Sequence, residues 1–347
     1  MLSRRTFLQT AALTAGGWVF SFGRVLHLPK TPLLVQAVTG AVPAERMGIT
    51  LIHEHILVDF IGADRYRPER WNRSAVLKKV LPYLKQVKAL GCRTLIECTP
   101  AYLGRDPLLL KLLSQASGLQ ILTNTGYYGA VQNKFLPSHA FTETADQLAA
   151  RWIKEFRRGI DDTGIKPGFI KISVEPGTLS DLHRKLITAA ARTHLKTGLT
   201  IASHTGFAIP AFEQMEVLRQ EGVQPQAFIW VHAQNEPDRE KYIEAATQGA
   251  WVSLDGLADD NVNTYLQMLR FMKERNAWSR TLVSHDAGWY KPDEPNGGEF
   301  RPFTVLFEKL IPLLAENGFT QTEIDQLFVS NPAEAFAVRV RALPKIR

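Results

Sequence analysis

The chain is poor in cysteine, in long apolar runs and in blocks of like charge, and each shortage excludes a class of protein. It has two cysteines, Cys92 and Cys98, among 347 residues. That is too few for a disulfide scaffold. Cys98 ends the apolar stretch Arg93-Thr-Leu-Ile-Glu-Cys98, which reads as a strand, so a buried free thiol is expected there rather than a Cys92–Cys98 bridge. The formal net charge is +7, but Lys and Arg are scattered among Asp and Glu with no run of five like charges. A nucleic-acid surface would need a concentrated basic stripe with interleaved aromatics, so no nucleic-acid partner is expected. With 45% apolar and 22% charged residues the chain can bury a large core, and nothing in it reads as disordered.

The N-terminus carries Ser3-Arg4-Arg5-Thr6-Phe7-Leu8-Gln9 ahead of an apolar stretch from Thr10 to Phe22. The pattern resembles a twin-arginine export signal. The stretch is too short for a stable membrane span, which needs about 20 residues. Residues 1–30 are therefore set aside as a signal, and 31–347 are expected to form one domain. The resemblance implies a periplasmic or secreted protein, exported folded by the twin-arginine machinery.

Beyond the signal, short apolar runs alternate with longer helical patterns. The runs are Ile49–Asp59, Thr94–Thr99, Leu119–Thr125, Gly168–Val174, Leu199–Thr205, Phe228–Ala233, Trp251–Gly256 and Thr281–Asp286. They are rich in Ile, Val, Leu and Thr and read as strands. Amphipathic helices are expected at Ser74–Leu90, Thr142–Ile160, Ser180–Lys196, Ala211–Glu221, Pro237–Gly249, Asn263–Asn276 and Pro302–Asn317. Val35–Glu45 suits a small cap or hairpin, and Thr320–Val338 one or two closing helices. Eight strand-then-helix repeats point to an α/β protein, a (β/α)8 TIM barrel. A doubly wound open sheet would want a glycine-rich phosphate loop after its first strand, and this first strand ends in His-Glu-His instead.

The strand ends carry the chemistry. His53 and His55 stand two apart on the first strand, so both point to one side. Lys171 lies in the fourth strand, His204 and His232 end the fifth and sixth, and Asp286 ends the eighth. All converge on the C-terminal mouth, where active sites of this fold sit. One histidine on a strand is usually a hydrogen-bonded core residue, but four on three strand ends with an aspartate are not. His27, His139, His183, His194 and His285 fall outside the pattern and read as surface residues or as a layer behind the site. Lysine is almost never buried alone, and burial frees its amine as a nucleophile. It could form a Schiff base or take up CO₂ as a carbamate that bridges two divalent metals. The imidazoles and carboxylate around it favour the carbamate, so Lys171 is expected to be carboxylated. The six ligands His53, His55, Lys171, His204, His232 and Asp286 suit Zn²⁺, and also Mn²⁺, Co²⁺ or Fe²⁺. Two metals about 3.5–4 Å apart can share and activate a hydroxide. Asp286 would then move the proton released during attack.

These residues resemble the phosphotriesterase-like branch of the amidohydrolase superfamily. Gly48-Ile-Thr-Leu-Ile-His53-Glu-His55 is similar to its first-strand motif, Gly168-Phe-Ile-Lys171-Ile to its carboxylated-lysine strand, and Ser203-His204-Thr205, Val231-His232 and Val283-Ser-His-Asp286 to its later ligands. Gly104-Arg105-Asp106 and Asn124-Thr-Gly126-Tyr127-Tyr128 also resemble family segments, and the likeness runs from about Val35 to the C-terminus. The resemblance implies two divalent metals, usually zinc, and hydrolysis of lactones, carboxyl esters or phosphotriesters. It implies a small-molecule ester substrate and a homodimer, which is common in the family. Tyr128 stands where the family has an aromatic pocket wall near the nucleophile. Ala287–Phe303, with Trp289 and Tyr290, is expected to be the loop that shapes the leaving-group pocket. One position departs: after Leu254-Asp255 the family carries Arg or His, and here stands Gly256, which suggests a wider pocket or another substrate. An amidase or deaminase of the same superfamily, or an inactive periplasmic metal-binding protein, are the alternatives.

Overall fold

A computed structural model describes residues 32–344; the expected export signal lies outside them. The described chain opens with an antiparallel hairpin, β1 (Leu34–Ala37) and β2 (Gly40–Pro43), where the sequence predicts a cap. Strands and helices then alternate: β3 (Thr50–Leu57), α1 (Arg73–Ala89), β4 (Thr94–Glu97), α2 (Pro107–Ser117), β5 (Gln120–Leu122) and β6 (Asn124–Thr125). After α3 (Ser138–Thr142) and α4 (Ala145–Arg158) come β7 (Phe169–Ser173), α5 (Asp181–Thr197), β8 (Ile201–His204) and α6 (Ala208–Gln220). The last repeats are β9 (Phe228–Val231), α7 (Glu240–Gln248), β10 (Trp251–Leu254), α8 (Val262–Glu274), β11 (Thr281–Val283) and β12 (Gly288–Tyr290). Three short helices, α9 (Ile311–Glu316), α10 (Gln321–Asp325) and α11 (Asn331–Phe336), finish the chain.

The barrel strands run parallel, in the orders β6-β7-β8-β9-β10-β11 and β12-β3-β4-β5. β5 and β6 flank Thr123, and β11 and β12 flank a bend at 284–287, so each pair occupies one barrel position. Closure comes at that bend. β12 pairs with β3 through Gly288↔His55 and Tyr290↔Leu57. Asp286 N donates to His53 O at 3.0 Å and His55 N to Ala287 O at 2.9 Å. The fold is the (β/α)8 barrel that the alternation predicts.

Side-chain alternation separates two cores. Ile52, Ile96, Leu122, Phe169, Ala202, Ile229, Trp251 and Leu282, one from each barrel position, pack together with Phe336 from the chain end and Val35 and Ala37 from the hairpin. Their neighbours Leu51, Leu95, Ile121, Ile170, Ile201, Phe228, Val252 and Val283 face the helices instead. The inner set fills the barrel below the mouth, so the polar side chains above it have a dry floor. Strict alternation would turn His53 outward, because Ile52 points in. The register shift between Leu51 and Glu54 on β3 is a bulge that brings the next inward position one residue early. Bulges of this kind commonly re-aim side chains next to active sites.

Three expectations need correction. Gly288–Tyr290 is a strand that closes the barrel, not part of a loop, because its backbone finds the free edge of β3. α2 is absent from the predicted helices. Its Leu-rich run hides the period, with Leu108 and Leu112 exposed and Leu109, Leu110 and Leu113 buried. Asp106 still caps it, accepting from Leu109 N, and Gly118 ends it at φ 73°. His183 and His194 are buried, where a surface position or a place behind the site is predicted; neither touches the site. Both cysteines are free and buried, as expected, and among the described residues no helix is long and apolar enough to cross a membrane.

His194 clips the chain end to the barrel. Its Nδ1–H donates to Leu199 O at 2.8 Å, and its Nε2 accepts from Arg341 N at 2.9 Å. Burial lowers its pKa from 6.5 to about 4, and the nearby Arg341 charge adds to the shift. The folded pKa lies below the unfolded one. The neutral form therefore contributes its full stability above about pH 6.5, and this is lost as pH falls towards 4. The expected loss is up to about 3 kcal/mol. The urea midpoint should fall across this window less steeply in His194→Gln than in the native protein; equal slopes would refute the assignment.

Candidate metal centre

The six predicted ligands meet at the mouth. His53 and His55 come from the bulged β3, with their Nε2 atoms 3.3 Å apart. Lys171, on β7, is 1% exposed, and its Nζ lies 3.4 Å from His53 Nε2. Gly126 makes room for this strand: a Cβ there would lie 2.2 Å from Lys171 O. His204 ends β8 and meets His232 edge-on, with ring centroids 4.4 Å apart. His232 and Asp286 both have left-handed backbones, at φ 63° and 54°. Such residues cost about 1–3 kcal/mol each and persist where the surroundings over-determine them. Asp286 Oδ1 lies 3.0 Å from His55 Nε2 and 3.6 Å from His53 Nε2, and Oδ2 lies 4.0 Å from His232 Nε2.

Buried carboxylates behind the ligands hold this geometry. Asp255, just beyond β10 and fully buried, accepts from His53 Nδ1 at 2.9 Å and from His232 Nδ1 at 2.8 Å. His55 Nδ1 meets the Thr99 hydroxyl at 2.8 Å. Glu54 lies between the two histidines of the motif, on the other face of β3. It accepts from Ser284 Oγ at 2.7 Å, His285 N at 3.1 Å, His285 Nδ1 at 2.7 Å and Ala287 N at 2.9 Å. These bonds fold the chain around Asp286 and turn its carboxylate inward. His285 Nε2 in turn accepts from Leu306 N at 3.0 Å, so His285 does form the predicted layer behind the site.

The arrangement fits metal ions. The Nδ1 atoms of His53 and His232 donate to a carboxylate, so their Nε2 atoms carry lone pairs. Those lone pairs face each other's neighbours and Asp286, whose Oδ1 is buried without a hydrogen-bond partner. Electron-rich atoms at such spacings repel unless a cation lies among them. The protonation states of His53 and His204 agree. Burial, with Lys171 adding to it, lowers His53 to about 4. Burial and the neighbouring His232 put His204 well below its ordinary value. Burial would lower His232 as well, but the Asp255 carboxylate outweighs it and raises that pKa. Burial would raise Asp286, yet His53 and His55 beside it hold its carboxyl far below the usual range. Lys171 has no carboxylate within ion-pair distance among the described residues. Such a buried amine is unusual unless it is modified or shares a metal site.

Above this floor lies a cavity of about 250 Å³. Val58, Leu103 and Phe135 form its wall, with Tyr128 and Trp289 packed against them. Tyr128 packs at a steep tilt against His204, with ring centroids 5.1 Å apart, and burial, with Asp286 nearby, keeps its hydroxyl protonated by raising its pKa. Trp289 meets His55 edge-on at 5.9 Å. Phe60 and Val131 stand exposed at the rim beside Lys134.

The model of the phosphotriesterase family matches residues 33–336. The chain belongs to the phosphotriesterase family. It is similar to the phosphotriesterase homology protein of Escherichia coli (strain K12), 28% identical over 293 residues, 83% of this chain and 98% of that one. It is also 28% identical over 315 residues to the aryldialkylphosphatase of Saccharolobus solfataricus, covering 86% of this chain and 97% of the relative. Among solved structures, a triple mutant of organophosphorus hydrolase from Deinococcus radiodurans superposes with a TM-score of 0.77 at 26% identity, covering 88% of this chain and 98% of that one.

Within this phosphotriesterase-family site, two things differ from the sequence reading. Gly256 does not line the cavity, so it does not widen the pocket. A Cβ there would lie 2.8 Å from the Gln234 amide nitrogen and 3.3 Å from the Tyr265 hydroxyl; these side chains fill the space. Asp255, Glu54 and Thr99, which hold the imidazoles from behind, lie outside the predicted site. The available signal was a carboxylate inside an apolar strand, which is buried only when partnered. Glu54→Gln is expected to strand one or more buried donors, at about 1–3 kcal/mol each, and to let Asp286 swing away. A denaturation midpoint and kcat both unchanged in that variant would rule the role out.

Proposed function

We propose that the protein is a binuclear-metal hydrolase of uncharged esters, whether lactone, carboxyl ester or phosphotriester. The observation that carries this reading is the convergence of imidazole lone pairs and a charged aspartate beneath an apolar cavity. His53, His55, His204, His232 and Asp286 would hold two divalent ions, zinc by the character of the donors, with a carboxylated Lys171 as the bridge. Bound there, such ions supply an acidified water and a Lewis acid at near-neutral pH.

The chain's own residues do the rest. Asp286 is charged and reaches the cavity, so it accepts the proton released as water adds to the ester and passes it towards the leaving group. Tyr128, kept protonated, offers a hydrogen bond to a substrate oxygen. The wall of Val58, Leu103 and Phe135 excludes water and favours an apolar substituent. Among the described residues no acidic side chain other than Asp286 lines the cavity, and Lys134 stands at its rim.

Two measurements test the reading. The metal-loaded protein is expected to hydrolyse members of a lactone series or an aryl phosphotriester with kcat/KM well above that for matching amides; turnover confined to amides would overturn the ester assignment. Lys171→Ala is expected to lose metal and activity together. Removing an outer partner of a metal ligand costs about 10–100-fold, so loss of a bridging ligand should cost more than about 100-fold. Two ions and full activity retained in Lys171→Ala would sink the bridge.

A further inference from the structure

We propose that Asp255 is a positioning residue that fixes the tautomers of two imidazoles at once, keeping both Nε2 atoms free for metal. The inference rests on the metal-site reading above, but its main test needs neither metal nor substrate.

The carboxylate of Asp255 has all its acceptor sites filled. Oδ1 accepts from His232 Nδ1 at 2.8 Å and from His232 N at 3.0 Å. Oδ2 accepts from His53 Nδ1 at 2.9 Å and from Ser253 Oγ at 2.7 Å. A carboxylate only accepts, so each Nδ1 must carry a proton, and a neutral imidazole then has its lone pair on Nε2. The two rings lie 5.1 Å apart with planes 33° from parallel, so both lone pairs are presented to the same side. One side chain thereby sets two ligands that arrive from β3 and from the end of β9. His55 lacks this constraint: its partner, the Thr99 hydroxyl, can donate or accept.

Asparagine separates this role from mere packing. Its side chain has nearly the same shape but one acceptor and one donor. The backbone N–H of His232 cannot change its role, so the amide oxygen must stay at the Oδ1 position. The NH₂ then faces His53 and Ser253. The serine hydroxyl can rotate to accept, and His53 must present a bare Nδ1, which moves its proton to Nε2. That N–H points into the site and removes one ligand.

The test is the imidazole nitrogen signals of metal-free, ¹⁵N-histidine-labelled protein at about pH 8.5, where free imidazole is neutral. The signals are assigned by loss in His53→Gln and His232→Gln. In the native protein both residues are expected as Nδ1–H. In Asp255→Asn, His53 is expected as Nε2–H with His232 unchanged, and metal affinity lowered about 10–100-fold. Ser253→Ala, which leaves both imidazole bonds in place, is expected to keep both tautomers. An Nε2–H tautomer at either histidine of the native protein overturns the proposal, and that measurement requires no variant to fold. So does an Asp255→Asn protein whose His53 remains Nδ1–H. Correct tautomers without ester turnover would defeat the functional reading alone, and ester turnover with the wrong tautomers would defeat this one alone.

Discussion

The mouth of this barrel depends on imidazole lone pairs being held towards one another against their mutual repulsion. His53 Nε2 lies within 3.6 Å of His55 Nε2, Lys171 Nζ and Asp286 Oδ1. Left alone, such a cluster would take up protons or splay apart. Two buried carboxylates prevent the splaying. Asp255 ties His53 to His232, and Glu54 ties the end of the eighth barrel position to the first. Each carboxylate is itself saturated with donors, which is the condition under which a buried charge is tolerated. The site is therefore poised for a cation, and the holding groups face away from the place where that cation would sit.

Backbone strain follows the same logic. His232, Asp286 and Trp289 all have positive φ, at 63°, 54° and 76°. A bulky tryptophan in this region is an outlier. Each strained residue has a specific restraint next to it. Asp255 accepts from His232 N. Glu54 takes the amides on both sides of Asp286. Gly288 and Arg301 exchange backbone bonds beside Trp289, and the Arg301 guanidinium stacks on its ring at 4.5 Å. These three strained residues stand at the mouth, above the apolar side chains packed inside the barrel.

The candidate ligands are legible in the sequence because they are the wrong residues for a strand interior. Histidine, lysine and aspartate at the ends of Ile- and Val-rich runs have no packing reason to be there, so position alone marks them. The barrel was legible for a similar reason, since the repeat of strand and helix is written in hydrophobic period. What supports the ligands was harder to see. Glu54 and Asp255 lie in the same segments, but their partners are 230 and 202 residues away, and no local pattern connects them. The bulge that turns His53 inward leaves no composition signal. The missing side chain at Gly256 leaves no empty space, because the Gln234 amide and the Tyr265 hydroxyl, from elsewhere in the chain, fill it.

The contrast between floor and wall bears on selectivity. Among the described residues, the charged or ionisable groups lining the cavity are the candidate ligands, the Tyr128 hydroxyl and, at the rim, Lys134, while the wall of Val58, Leu103 and Phe135 has no hydrogen-bonding side-chain atom. A substrate bearing a charge away from its reacting bond would have to bury that charge against hydrocarbon, which costs several kcal/mol without a partner. An uncharged ester meets no such penalty, and its polar atoms lie where the ligands and the Tyr128 hydroxyl can reach them. The apolar wall also lowers the local dielectric, which strengthens each electrostatic interaction at the floor. On the proposed ester-hydrolase reading, selectivity for an uncharged substrate and polarisation of its reacting bond would arise from the same few side chains.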